Sequence, residues 1–198
     1  MAAIKQGVRT RTASIEVTDS LVVAALALLE AEGLASLTVR SVASRAEVAP
    51  MGVYSRFGNK DGLLEALFVH GFDTLQTAIE TPSDASPVRR LTIGCLGYRQ
   101  FAIDNPQLYH LMFEQMMLLE LSPESREAAK RSFTTLVDRV QDAMNSGDLT
   151  PGDSTEVAQQ VWSAMHGAVS LEIAGVHFAQ DRTANFAAMI NALIRGLG

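Results

Sequence analysis

Apolar positions recur at helical spacing along nearly the whole chain, and no segment alternates as a strand would. Thr18 is placed to cap a helix reaching Glu32, with Val22, Ala25, Leu26 and Leu29 on one face and Gly33 as its stop. Leu34 and Leu37 then seat the next segment. Thr38 caps a short helix carrying Val39, Val42 and Ala43, which Ala46, Glu47 and Val48 end. A second short helix follows from Ala49 to Arg56, with Val53 and Phe57 facing inward. After the break at Gly58 and Asn59, a long helix starts at Lys60 and keeps Leu63, Leu64, Leu67, Phe68, Gly71, Phe72, Leu75 and Ile79 on its stripe. The breaker-rich run from Thr81 to Pro87 reads as a linker.

Beyond the linker, Ser86 and Pro87 open a helix to about Ile103, and Asn105 and Pro106 open a shorter one to about Met117. Ser122, Pro123 and Glu124 start a helix through Phe133, Leu136, Val137, Val140 and Met144. Asp153 and Glu156, at capping-box spacing, begin another that runs to about Ala179. A last helix covers about Arg182 to Leu197. The expected fold class is therefore all-α with nine helices. Three parts are expected: a flexible basic arm over 1–17, a helix-turn-helix head with its connecting helix over 18–80, and a body over 81–198. The arm, with Arg9 and Arg11, reads either as a disordered terminus or as a basic segment touching phosphates or a minor groove.

Helices as short as those after Thr38 cannot hold alone in water, so they need the first helix to pack on. A helix pair of this kind, showing Arg, Ser, Met and Tyr, is the arrangement that enters a DNA major groove. The run L-T-V-R-x-V-A-x-R-A-x-V, then G-V-Y-x-R-F-x-N-K-x-x-L-L, resembles the DNA-binding domain of the TetR/AcrR family of bacterial transcriptional regulators over about Val22 to Phe68. The resemblance implies a homodimeric, all-helical, ligand-responsive regulator. It puts Tyr54 and Lys60 at phosphate-contact positions, often joined by Thr38 and Arg40, and puts Pro50, Met51 and Gly52 in the base-reading region. Ser41 and Ser55 complete the candidate DNA-binding set. Pro and Met offer no bidentate hydrogen bonds, so readout there is expected to be apolar, for instance against thymine methyls. Two departures stand out: Glu47 holds a turn position where the family usually has Gly, and Ala49 stands where it often has Ser.

A net charge of −6 is unexpected for a DNA binder until it is divided along the chain. Through Lys60 there are seven basic and five acidic side chains, net +2; the remainder has nine and seventeen, net −8. The local field decides phosphate attraction, and the acidic body turns the head toward the duplex. One cysteine excludes an internal disulfide framework and a cysteine-based zinc site. No signal peptide or uninterrupted apolar span is seen, so the expectation is a cytoplasmic protein without membrane association.

The body carries aromatic and soft apolar side chains on several helices, and the chain has eight methionines, which suit an adaptable cavity. Core packing explains most such stripes. The segment from Tyr98 to Phe113, with Trp162, His166 and Gly167 downstream, resembles the C-terminal domain type named for its Trp-His-Gly motif. That resemblance implies a pocket for a small molecule, with Tyr98, Phe101, Met112, Phe113, Met116, Phe133, Trp162, Met165 and His166 as candidate lining. His166 is either a polar handle in that pocket or a buried histidine satisfied by backbone. Glu172 is either a surface or dimer-rim charge or the partner of a cationic ligand, and Cys95 is a small core hydrophobe or a redox sensor. The last two helices are apolar over more than one face, which implies a partner. Ala168, Leu171, Gly175, Phe186, Met189, Ile190 and Leu193 are the candidate dimer interface.

The function expected from these readings is a repressor released from a palindromic double-stranded operator by a small, largely apolar effector. Two alternatives are an interaction protein of the same fold without a ligand response and a helical-bundle enzyme. The second lacks support, because none of the four histidines has Glu three residues before it. No P-loop, dinucleotide fingerprint or G-x-S-x-G motif appears either, so no catalytic residue, metal site or cofactor is assigned.

Overall fold

The computed structural model describes residues 2–115 and 121–198, and for residues 2–15 and 115 the backbone alone. Among the described residues every regular element is helical. The order is α1 (Ala2–Glu32), a 3₁₀ turn (Leu34–Ser36), α2 (Val39–Arg45), α3 (Pro50–Phe57), α4 (Lys60–Ala78), α5 (Pro87–Asp104), α6 (Pro106–His110), a π turn (Leu111–Gln115), α7 (Pro123–Asn145), α8 (Ser154–Ile173) and α9 (Arg182–Leu197). No helix among them is long and apolar enough to cross a membrane.

Helix α1 begins at Ala2, so the backbone of the arm expected over 1–17 is helical from residue 2 and Thr18, expected as a cap, lies inside the helix. Its upstream part has no proline and several good helix formers, so a helix fixed by packing downstream propagates through it. The buried stripe of α1 is also turned from the expected one. Leu21, Ala24, Ala25, Leu28 and Leu29 are buried, while Val22 and Leu26 are only partly covered.

The chain forms two compact units, and their boundaries differ from the expected one at residue 80. The first comprises Met1–Gly71 and Gln107–Leu121, the second Phe72–Pro106 and Ser122–Gly198. The long helix α4 crosses from one to the other between Gly71 and Phe72, and the segment after Pro106 belongs with the head. The linker at Thr81 interrupts the helices without dividing the units. In the first unit, α1, α2 and α3 pack together around Leu21, Leu29, Leu37, Val42 and Val53, with Leu63, Leu64 and Leu67 of α4 also buried. The segment after Pro106 contributes Leu108, Tyr109, Leu111 and Met112. Met112 lies so close over Gly71 that a Cβ there would overlap its sulfur. Helix α6 is only five residues long, and its start is held from outside: the Glu30 carboxylate on α1 accepts from the amides of Leu108 (2.9 Å) and Gln107 (3.3 Å).

In the second unit, α5 packs on α7, α8 and α9, and α8 also packs on α7 and α9. Its core includes Leu91, Cys95, Phe101, Val140, Val161, Met165, Val169, Phe186 and Ile190. Asp153 caps α8 through the amides of Thr155 and Glu156, and Asp181 caps α9 through Ala184. Helix α8 stops at Ile173, shorter than the expected end near Ala179. Gly175, at φ 71°, takes the left-handed position, with Val176 N–H donating to Leu171 O and Gly175 N–H to Glu172 O.

Candidate functional site

The helix-turn-helix is built from caps and one close approach. Thr38 Oγ1 accepts from Ser41 N–H, and Ser41 Oγ accepts in return from Thr38 N–H, both at 3.0 Å. Ser41 Oγ also donates to Ser36 O at 2.6 Å. Ser41 therefore acts inside the cap and is partly covered. At the turn, Glu47 adopts φ 56°, and Val48 N–H bonds Ala43 O while Glu47 N–H bonds Ser44 O. These are the paired bonds of a helix stop built around a left-handed residue. The family's usual Gly would fit it without the ~1 kcal/mol strain that a side chain brings.

Helix α3 starts at Pro50 behind Ala49, whose side chain makes no cap. Val53 is its one buried residue and fixes it on the unit. That leaves Pro50, Met51, Tyr54 and Ser55 exposed, Met51 at 71% and Tyr54 at 49%, with Gly52 partly covered. Thr38 and Arg40 at the start of α2, and Lys60 at the start of α4, are exposed as well. Asn59 Oδ1 accepts from Gly62 N–H and caps α4 just where Lys60 stands. Gly62 is required there, because a Cβ would run into the Phe57 carbonyl that ends α3. Arg56, not among the candidates, folds back on its own helix, donating to Gly52 O and Ser55 Oγ.

The candidate pocket residues divide between the units. In the second unit, Tyr98 on α5 and His166 on α8 meet at 3.1 Å through the phenol oxygen and Nδ1. Trp162 lies one turn before His166, ring centroids 5.7 Å apart, and Phe133 of α7 meets Trp162 edge-on at 6.0 Å. Phe101 and Met165 are buried in the same unit. The phenol of Tyr98 is thus one partner of the His166 ring. Met112 and Phe113 lie in the first unit, where Phe113 packs on Tyr109 at 4.7 Å. Met116 lies outside the described residues.

Three features of the second unit had little or no signal in the sequence. Glu172, read as a rim charge or ligand partner, instead makes a two-pronged ion pair with Arg99 at 2.6 and 2.9 Å, side chains 9% and 10% exposed. Arg139 of α7 donates to Ile79 O at 2.6 Å, just past the end of α4, and lies over Gly94. Burial and the neighbouring Arg90 lower its pKa. Cys95 is fully enclosed, and burial pushes its thiol up to about 12, which leaves it a core hydrophobe. Of the candidate dimer residues, Phe186 and Ile190 are buried within the unit. Leu171 and Gly175 are exposed, while Ala168, Met189 and Leu193 are partly covered. The exposed positions of α9 mix Ala184, Ala188 and Ala192 with Arg182, Asn185, Asn191 and Arg195.

Comparison with known proteins agrees with this geometry. The model for bacterial regulatory proteins of the tetR family matches residues 21–67, and that for the tetracyclin repressor-like C-terminal domain matches residues 91–193. The chain is 26% identical to an uncharacterized HTH-type transcriptional regulator of Mycobacterium tuberculosis, covering 90% of this chain and 80% of that protein. A protein of unknown function from Rhodococcus sp. RHA1 superposes with a TM-score of 0.83 at 26% identity, over 91% of this chain and 95% of that one. A regulatory protein of the tetR family from Rhodococcus RHA1 shares the fold, with a TM-score of 0.71 at 21% identity over 92% and 97% of the two chains. With its helix-turn-helix head and its helical body both matched, the chain belongs to the TetR family and is a DNA-binding transcriptional regulator.

Proposed function

We propose that this regulator is a homodimeric cytoplasmic repressor, released from a palindromic operator by a small, largely apolar effector. The observation that carries the DNA part is the geometry of α3, which buries Val53 alone and leaves Pro50, Met51, Tyr54 and Ser55 exposed, with Arg40 of α2 and Lys60 of α4 exposed as well. Thr38, Arg40, Tyr54 and Lys60 would hold phosphates, and Pro50, Met51 and Gly52 would meet base edges. Few hydrogen-bonding groups lie at the base-reading end, so the spacing of two heads, about 34 Å for one DNA turn, would supply much of the specificity.

The effector part is supported by the Tyr98–His166 pair, a polar handle among Phe133, Trp162 and Met165 on α5, α7 and α8. An effector that separated these helices would act on α4, and effector and operator must then disfavour each other reciprocally. The test is fluorescence anisotropy on DNA from the protein's own upstream region, over a salt series and with candidate effectors. Specific binding with a steep salt dependence, lost on effector addition, is the expected result. No specific binding to any palindrome-bearing fragment would overturn the DNA reading, and binding indifferent to every molecule that co-purifies with the protein would overturn the effector reading.

A further inference from the structure

The first turn of α3 presents almost nothing that can form a hydrogen bond through a side chain. Ala49, Pro50 and Met51 are all exposed, and Gly52 beside them is partly covered. Ala49 makes no side-chain cap, and Met51 is 71% exposed, more than any other large apolar side chain of the first unit among the described residues. Three residues on, Tyr54 is half exposed on the same face. The two polar side chains that follow are engaged within α3 itself. Ser55 Oγ donates to Gly52 O at 3.1 Å and accepts from Arg56 Nη1 at 3.0 Å. The Arg56 guanidinium lies back along the helix, with Nη1 also donating to Gly52 O at 3.3 Å and Nε shielded from solvent without a partner. With Nη1 engaged in this way, the fork that would read guanine is closed. Single exposed apolar residues are ordinary on a protein surface, but a run of them at the start of a helix that enters a groove is not.

We propose that Met51, with Pro50 beside it, reads the C5 methyl groups of pyrimidines in the major groove, so that thymine and 5-methylcytosine are accepted where cytosine is not. This rests on the reading of α3 as the helix that enters the groove, and it names the chemistry recognised there. Of the unmodified bases, thymine alone places a methyl group on the major-groove edge, whereas cytosine presents C5–H and its N4 amine. A side chain without a hydrogen-bonding group cannot match an amine or a carbonyl, but it gains by covering a methyl. The unbranched methionine thioether adapts its course to meet one. 5-Methylcytosine carries the same methyl on the same carbon, so apolar contact to that group serves both bases. Cytosine methylation inside the operator would then change the affinity of this regulator, which would respond to the modification of the DNA as well as to its sequence. Covering one methyl-sized group corresponds to a change of ~3–10-fold in affinity.

The experiment selects bound duplexes from a random-sequence pool with the full chain, then measures the enriched site by fluorescence anisotropy, wild type against Met51→Ala. Each thymine of the site is replaced in turn by deoxyuridine, which removes the methyl and leaves the pairing edge intact. At one or more thymines the wild-type dissociation constant should rise ~3–10-fold, and Met51→Ala should bind the thymine and uracil duplexes alike. At the same position, exchanging T·A for C·G should weaken wild-type binding. Methylating that cytosine at C5 should recover ~3–10-fold in wild type and nothing in Met51→Ala. The salt slope should be the same in both proteins, because the contact is to a base and not to phosphate. Met51 is largely exposed, so Met51→Ala is expected to keep the wild-type circular dichroism spectrum. A pool that yields no enriched site overturns the DNA-binding reading and this proposal together. An enriched site at which uracil costs nothing at any thymine, a uracil penalty that persists in Met51→Ala, or a C5 methyl on cytosine that leaves wild-type affinity unchanged overturns the methyl reading alone.

Discussion

Replacing Glu30 tests whether the five-residue helix α6 depends on a cap lent by α1. In Glu30→Ala, the amides of Gln107 and Leu108 lose their acceptor. The two losses are unequal. Leu108 is 2% exposed and its bond is 2.9 Å long, so its amide cannot simply turn to water; a charge-assisted bond of this kind is worth ~1.5–3 kcal/mol. The Gln107 bond is 3.3 Å and exposed, so solvent replaces most of it. The total is about 2 kcal/mol, which for a chain of 198 residues lowers the melting temperature by roughly 4–8 °C. Glu30→Gln keeps one acceptor oxygen and loses the charge at the helix start, so about half the effect remains. The same ~2 kcal/mol should raise hydrogen exchange at the Leu108 amide ~30-fold if exchange proceeds by local opening of α6. A Glu30→Ala protein that melts within about 1 °C of wild type, with unchanged exchange at Leu108, would refute the reasoning.

Four further outcomes follow from geometry. Lys60→Ala should weaken DNA binding about equally on all sequences and lower the salt slope by about one, measured by anisotropy against salt concentration; an unchanged slope removes Lys60 from the phosphate contacts. Gly97→Ala should destabilise the fold by ~1–3 kcal/mol in urea unfolding, because its Cβ would overlap the Ala78 carbonyl, a backbone atom with little freedom to move. Glu172→Gln should cost ~3–5 kcal/mol by leaving Arg99 buried without its counter-charge; pairing it with Arg99→Met should recover much of that, and simple additivity would contradict the coupling. Native Cys95 should resist thiol reagents at pH 8 and react only on unfolding. Since burial raises its pKa from 9.0 to about 12, the folded chain holds a proton there that the unfolded chain releases. That stabilisation is complete below pH 9 and is lost as pH rises through the window, which a Cys95→Ala comparison by urea unfolding would isolate.

The helices were legible because caps and periodicity are local. Thr38, Asn59, Ser122, Asp153 and the Pro residues at 50, 87, 106 and 123 mark starts that the structure places within a residue or so. The turn at Glu47, at φ 56°, was legible through the resemblance, which puts Gly at that position. What was not legible needs partners far apart in sequence. No spacing connects Glu30 to Leu108, Arg99 to Glu172 or Arg139 to Ile79, and these pairs decide which polar groups are structural. On α9 the limit of a local reading is which side of a stripe faces inward. Periodicity identifies an apolar stripe, of which Phe186 and Ile190 are the inward side, while Ala184, Ala188 and Ala192 are exposed.

The position of α4 follows from the same distinction between local and distant constraints. At its start, Asn59 caps it and Gly62 lies hard against the Phe57 carbonyl, so the end of α3 and the first turn of α4 move as one. At its far end, within the second unit, Arg139 of α7 holds Ile79 O and Gly97 of α5 lies against Ala78 O. Neither end has room for a methyl group between the elements, and contacts without slack transmit displacement instead of absorbing it. Helix α4 has no proline between these grips and carries glycine only at positions 62 and 71. If the proposed effector shifts α5 or α7, the shift reaches the end of α4 at the Ala78 and Ile79 carbonyls, held by Gly97 of α5 and the Arg139 side chain of α7. Arg139→Lys, which keeps a charge but gives up the planar guanidinium fork, should then leave DNA affinity intact while weakening the effector's hold over it. Equal effector sensitivity in that variant would place the coupling elsewhere than at the end of α4.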